Sequence, residues 1–485
     1  MILVFVHGWS VTSTATYGGL PDALVRQAAL PAPGPALPNL VLDVRHIHLG
    51  SYISFQNPVT MTDVVRAFDQ ALRDTLVGPG TAPGTPLPDF SCVTHSTGGP
   101  VAREWVTRMH DGGTGLRPSP LRHLVMLAPA NHGSPLATLG KERVGRIKAF
   151  FNGVEPGERI LDWLALGSAD QWRLNHRWLD YDPPAAGLYP FVLTGQTIDS
   201  HFYDFLNPYL AEEGSDGVVR VAGANLNCLF LTLNETATTV VNGHFGPAGL
   251  LAPAGGPPAP RRPIGLGVIP DASHSGDRLG IMGSVTPQSA AAKPVVGEIL
   301  RCLRVDSVTA YDARVVELAA LTTATQAAVT LAKPGHGRRH SQLVFRIRDD
   351  QGDPVNDFDL YLLGGPAYSP DALPEGFFVD RQRNGVSPNC LVYYLDYDVM
   401  AGLRGNLFGL RVHARPDDGF VRYAPVEFRT DGAGLAVALK PNETTYVDVV
   451  LKRHVDRNVL RLGPVTPAPV DFKNRKPSGT DVDTP

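Results

Sequence analysis

The chain has 485 residues, more than one hydrophobic core usually accommodates, so two domains are expected. Its 43% hydrophobic and 19% charged residues mark a globular protein, and 50 glycines with 43 prolines make it rich in turns. A net charge of -4, with no basic block interleaved with aromatics, argues against nucleic acid as a partner.

Four cysteines, Cys92, Cys228, Cys302 and Cys390, are too scattered for a disulfide framework or a zinc site. Buried or surface thiols are expected, with no metal. The N-terminus lacks a basic region followed by a long apolar stretch, and no run of eighteen apolar residues occurs. Neither a cleaved leader nor a membrane-spanning helix is expected. Synthesis in the cytoplasm follows, with any export taking a leaderless route.

Residues 1–6 (MILVFV) form a continuous apolar run, the signature of a strand buried on both faces in a parallel sheet. A helix is expected over 20–29 and a strand over 40–46. Residues 60–77 place apolar positions at helical spacing behind a Thr N-cap. Strands over 90–94 and 121–127 flank a helix from about 101. This alternation predicts a parallel sheet built from βαβ units. From 135 to 180 helical pieces carry Trp163, Trp172 and Trp178, where a cap or an ordinary helical excursion could stand. Strand-like runs at 189–193 and 228–233 are read as resuming the sheet, and 246–263 as an exposed loop.

Near Val305 the character changes. Short β-rich segments at 342–347, 391–395, 410–413 and 445–451, separated by turn-forming stretches, predict an all-β, sandwich-like unit. The expected division is a catalytic α/β domain over 1–304 with a cap or lid insertion at 135–185, a β-domain over 305–464, and a disordered tail over 465–485.

The sequence Thr94-His95-Ser96-Thr97-Gly98 stands where a strand meets a helix. Such a sharp turn lifts a serine hydroxyl clear of the sheet and needs small residues beside it. Gly98 and Gly99 supply that room, whereas Thr94 replaces the glycine that usually precedes the serine. Ser96 is the expected nucleophile; the bland alternative is a helix-capping serine. A serine nucleophile needs a base and an acid that orients it, in the chain order Ser, Asp or Glu, His for this kind of turn. His274, in a polar loop after 264–269, is the expected base, with His244 as rival. Asp216, in Gly214-Ser215-Asp216-Gly217, is the expected acid, with Asp199 as rival and an ordinary turn aspartate as the bland alternative. The oxyanion would take two backbone N–H groups, from Thr97 and from Trp9 in the loop after His7-Gly8. His7 is read as bracing that loop. This chemistry calls for no cofactor.

These blocks resemble bacterial lipases and phospholipases of the α/β-hydrolase superfamily. The likeness rests on Phe5-Val6-His7-Gly8-Trp9, Thr94-His95-Ser96-Thr97-Gly98-Gly99, Asn131-His132-Gly133-Ser134-Pro135-Leu136, Ser215-Asp216-Gly217-Val218-Val219 and His274-Ser275-Gly276 with Gly280-Ile281-Met282. It spans about the first 300 residues and implies acyl-ester substrates with long apolar chains and peripheral membrane contact. It also looks like lipase effectors delivered by type VI secretion, which implies a secretion-machinery or immunity partner. Three other expectations stand beside a lipase: a soluble short-chain esterase or thioesterase, a catalytically inactive hydrolase fold used as a scaffold, and amide or peptide hydrolysis with the same triad.

Overall fold

The computed structural model describes residues 1–7, 17–30, 40–53, 56–137, 157–198, 212–241, 244–246, 248–256, 258–328, 337–403, 407–417, 420–430 and 439–455. Trp9, Asp199, most of the 135–156 stretch and the 465–485 tail lie outside them.

The apolar run at the N-terminus becomes β1 (Ile2–His7), followed by α1 (Leu20–Ala28), β2 (Asp43–His48), α2 (Met61–Leu76), β3 (Phe90–His95), α3 (Gly98–His110) and β4 (Leu121–Leu127). Thr60 caps α2 reciprocally: its hydroxyl accepts from the Asp63 amide while the Asp63 carboxylate accepts from the Thr60 amide. A cap of this kind contributes about 1 kcal/mol and sets where the helix begins. Next come α4 (Glu158–Leu164), α5 (Ala169–Trp178), β5 (Tyr189–Thr194) and the single turn α6 (Val221–Ala224).

Six strands form one sheet in the order β10-β5-β4-β3-β1-β2, where β10 is Gly265–Val268. Every neighbouring pair in it is parallel. Helices therefore cover both faces. Val4, Phe68, Trp105 and Leu124 lie in the core on one side, and Phe5, Leu24, Val125 and Ile299 in the core on the other. This is the α/β-hydrolase core that the motifs implied.

Two readings are corrected by the tertiary structure. The run at 228–233 does not resume the first sheet. It opens β6 (Cys228–Ala237), which pairs in parallel with β18 (Thr444–Leu451) in a second sheet. An apolar run looks the same whichever sheet takes it in, so only pairing decides. The stretch read as an exposed loop holds β9 (Gly249–Pro253), an antiparallel neighbour of β6. Between them, β7 (Val240–Val241) and β8 (His244–Phe245) form a small two-stranded ribbon.

Beyond Val305 the chain first runs through a long helix that sequence reading missed. After α7 (Pro294–Leu303), α8 (Val308–Ala327) packs along β10. Only Tyr311, Arg314, Leu318 and Thr322 of its twenty residues are buried, and so narrow a stripe carries little amphipathic signal. The boundary expected at 304/305 thus falls just before a helix of the first sheet, while β6 and β9, which precede it, belong to the second.

The β-rich region expected downstream is present as one nine-stranded mixed sheet. It comprises β6, β9, β11 (His340–Asp349), β12 (Phe358–Gly364), β13 (Phe378–Arg383), β14 (Cys390–Asp396), β15 (Phe408–Ala414), β17 (Val426–Arg429) and β18, while β16 (Val421–Arg422) pairs apart from it with β19 (His454–Val455). The order is β12-β15-β17-β9-β6-β18-β11-β14-β13. Alternation along β6 sends Leu231 and Leu233 into this sheet's own core, and Cys228 and Phe230 to the opposite face. There they meet Trp172 of α5 and Tyr446 of β18. Phe230 stacks on Tyr446 at 4.3 Å, with Trp172 edge-on to both. Burying each such ring is worth roughly 1.5–3 kcal/mol, so the helical insertion, in its described part, is packed between the two sheets. Among the described residues no helix is long and apolar enough to cross a membrane, and the four cysteines are buried and unpaired.

Candidate active site

Ser96 sits directly after β3 with a backbone φ of +53°, a left-handed conformation that side chains other than glycine rarely adopt. Its amide donates to the Leu127 carbonyl at the end of β4, and the Gly99 amide donates to its carbonyl. The strained turn is thus held on both sides. A Cβ on Gly99 would come within 2.8 Å of Pro129. One on Gly98 would lie 3.3 Å from the Thr94 Cβ, so the bare glycine at 98 leaves the space that Thr94 fills. The departure from the usual motif is accommodated by that pairing. Thr97 is the N-cap residue of α3, where helix amides lack intrahelical partners and the dipole favours negative charge.

His274 and Asp216, 58 positions apart in the chain, are brought together. The His274 Nδ1 lies 2.9 Å from Asp216 Oδ2, and its amide donates to the Asp216 carbonyl at 2.9 Å. Asp216 is fully buried, and its other carboxylate oxygen accepts from the Val218 and Val219 amides at 3.0 and 2.8 Å. With Nδ1 donating to the carboxylate, Nε2 is left as the acceptor a general base requires.

The loop carrying His274 leaves β10 and is tied to β5. The Ile269 amide donates to Thr194, and the Thr197 amide to Ala272. Gly195 lets the strands approach this closely, since a Cβ there would fall 1.9 Å from the Ala272 carbonyl oxygen. His95, the residue before Ser96, packs its ring 4.6 Å from the His274 ring. Its Nε2 lies 3.1 Å from the His274 carbonyl, which can only accept, so this nitrogen carries hydrogen. Burial, then the neighbouring His274, holds the His95 pKa well below its ordinary value, which keeps that donor neutral. His274 and Asp216 are thus joined to each other, and His274 packs against His95, the chain neighbour of Ser96, at the carboxyl end of the parallel strands, where open α/β sheets bind their ligands.

His244 stands in the β7–β8 ribbon, outside the six-stranded sheet. Asp199 and Trp9 lie outside the described residues.

The 131–134 block carried part of the likeness but had no role assigned from sequence, and several side chains packed with it had none either. The Ser134 hydroxyl donates to Val218, and His132 bridges Asn225 and the Tyr446 hydroxyl. Asn131 accepts from the buried Arg103 guanidinium, which also reaches Asn175. The 131–134 block therefore braces the Asp216 loop against α3, α5 and β18. His7 is packed against His46 and His48 at the end of β1 and β2. Burial, then His48 and His46, lowers its pKa to about 3, and the loop it was read as bracing lies outside the described residues. His46 and His48 alternate on an ordinary strand, and nothing in their spacing announced the cluster. Among the described residues no group of three or more His, Cys, Asp or Glu side chains is placed to hold a metal.

No family model matches the chain, and no curated protein matches it either. Among solved structures, phospholipase PlaB from Legionella pneumophila is 43% identical, with a TM-score of 0.81 over 100% of this chain and 99% of that one. PlaB in complex with thio-NAD is likewise 43% identical, with a TM-score of 0.80 over 100% of both chains. The mature Bacillus licheniformis lipase BlEst2 matches at 18% identity and a TM-score of 0.33 over 46% of this chain, too distant to add to the argument. Likeness at this level over the whole length settles the family: the chain belongs with the PlaB phospholipases, on an α/β-hydrolase fold.

Proposed function

We propose that this protein hydrolyses carboxylic ester bonds of phospholipids through an acyl-enzyme on Ser96. The observation that carries the reading is the His274–Asp216 pair, joined at 2.9 Å, buried, and packed through His95 beside a serine held in a left-handed turn. In this mechanism Nε2 of His274 takes the serine proton as the hydroxyl attacks the ester carbonyl. The same proton then passes to the leaving alcohol, and the imidazole next activates water to release the fatty acid. Asp216 holds the ring and stabilises its cationic form. The Thr97 amide, with that of Trp9, receives the oxyanion. Because phospholipids are presented in bilayers, peripheral contact with a lipid surface belongs to the same reading.

The test is a series of acyl esters of increasing chain length alongside phospholipid vesicles, with free fatty acid as the readout. Release from vesicles and long-chain esters is expected, together with sedimentation of the protein with the vesicles. Activity confined to short-chain or thioester substrates would shift the assignment to a soluble esterase or thioesterase. An inert protein across the series would leave a scaffold.

The PlaB complex with thio-NAD supports a second element, that this chain binds a nicotinamide dinucleotide. A rise in thermal midpoint with NAD is expected; an unchanged midpoint across millimolar NAD would exclude it.

A further inference from the structure

The loop that carries Asp216 does not rest on its own sheet alone. Its amides reach the Asp216 carboxylate from Val218 and Val219, and the next residue, Arg220, is 1% exposed. The Arg220 guanidinium forks onto Glu212, four residues before Asp216, with bonds of 2.8 and 2.7 Å. Its remaining donors leave the loop altogether. One reaches Gln342 of β11 at 3.2 Å, and another pairs with Asp380 of β13. The Arg220 Cζ lies 4.2 Å from the centroid of the Tyr394 ring of β14, over its face. Burial opposes this charge, yet Glu212 and then Asp380 raise the Arg220 pKa above its ordinary value.

Tyr394 closes the arrangement from the other side. Its hydroxyl donates to the Gly214 carbonyl at 3.0 Å and lies 3.2 Å from that of Glu213. Its ring stacks on His340 at 4.7 Å. Gly214 has a φ of +74°, and a Cβ there would lie 2.2 Å from His340 Nδ1 and 2.4 Å from the Tyr394 hydroxyl. Backbone and sheet are thus as close as a residue without a side chain permits. The Val221 amide donates to Gly214, which closes the loop on itself at the point where Tyr394 grips it.

We infer that Arg220 is a positioning residue for the Asp216 carboxylate, and that through Arg220, Asp380 and Tyr394 the nine-stranded sheet sets the geometry of the catalytic acid. The inference rests on the triad reading of the preceding subsection. It gives the β-rich half a role in the reaction: β11, β13 and β14 form the bed in which the acid loop lies. A shift of Arg220 would carry the Val218 and Val219 amides with it, because they are the two residues before it in the chain.

Arg220→Met is a poor test, since it leaves two carboxylates facing each other without their cation. Asp380→Asn is milder, because Glu212 still pairs with the guanidinium. The experiment uses the full chain with a monomeric chromogenic ester, and counts active sites by titration with a fluorophosphonate. In Asp380→Asn, kcat per titrated site is expected to fall on the order of ten- to a hundred-fold at unchanged KM, the scale of a small misplacement of a catalytic group. Asp380→Glu, which keeps the charge, should recover most of the loss. Tyr394→Phe removes the hydroxyl that holds Gly214 and should lower kcat in the same direction, which keeps the test usable if Asp380→Asn fails to fold. Wild-type kcat per titrated site in whichever of Asp380→Asn and Tyr394→Phe folds overturns the inference, as does a loss that Asp380→Glu shares in full. Ser96→Ala separates the two levels: if it retains activity, the triad reading itself has failed, and the inference falls with it.

Discussion

Replacing Ser96 with alanine is expected to lower kcat on phospholipid by on the order of a million-fold, about 8 kcal/mol of lost transition-state stabilisation. The size follows from the kind of group removed. Without the hydroxyl no acyl-enzyme forms, and only binding and the oxyanion amides remain to assist attack by water. The fold should hardly notice the change. Alanine suffers the same left-handed strain at φ +53° as serine does, and the turn is held by the backbone bonds to Leu127 and Gly99, which the substitution leaves in place. An unchanged thermal midpoint with abolished fatty-acid release, and loss of fluorophosphonate labelling, is the expected pattern. Retained hydrolysis would mean that another residue attacks the ester, and the site would have to be sought elsewhere.

Asp216→Asn should be nearly as damaging, with kcat reduced on the order of ten-thousand-fold and KM little changed. The asparagine carbonyl can still accept the Val218 and Val219 amides, so the loop keeps its shape. The amide nitrogen then faces His274 Nδ1, where the carboxylate oxygen stood at 2.9 Å. A donor in that place forces the imidazole to accept at Nδ1 and carry its hydrogen on Nε2. In that tautomer it cannot take the serine proton. Full burial of Asp216 removes water as a substitute partner. Steady-state kinetics on a soluble ester measures the effect. Wild-type kcat in this variant would reassign the acid, with Asp199 next in line.

The candidate site was more legible in sequence than the architecture around it, for a physical reason. A nucleophile turn imposes strict local demands: a strand before, a helix after, and small residues where the backbone folds back. The stretch from Thr94 to Gly99 states those demands within six residues. The order Ser96, Asp216, His274 then left few partners to consider. His95 could not be read in the same way. Its contact with His274 spans 179 positions of the chain, and no local pattern encodes it.

The apolar periods of β1, β3 and β4, the Thr60 cap of α2 and the short strands after residue 340 were determined by the sequence itself, because burial on both faces and capping are local requirements. Which sheet received Cys228–Ala237, that Gly249–Pro253 is a strand, and that Val308–Ala327 is a helix on the first sheet were decided by tertiary structure. An apolar run carries no record of its neighbours, a strand set in a glycine- and proline-rich stretch shows only when partner strands are presented on both sides, and a helix buried along a thin stripe hides its period. The same holds for the clasp of Arg220 between Glu212 and Asp380. Its charges are compatible with water in an unfolded chain, and only the meeting of the two sheets buries the guanidinium between two partly exposed carboxylates.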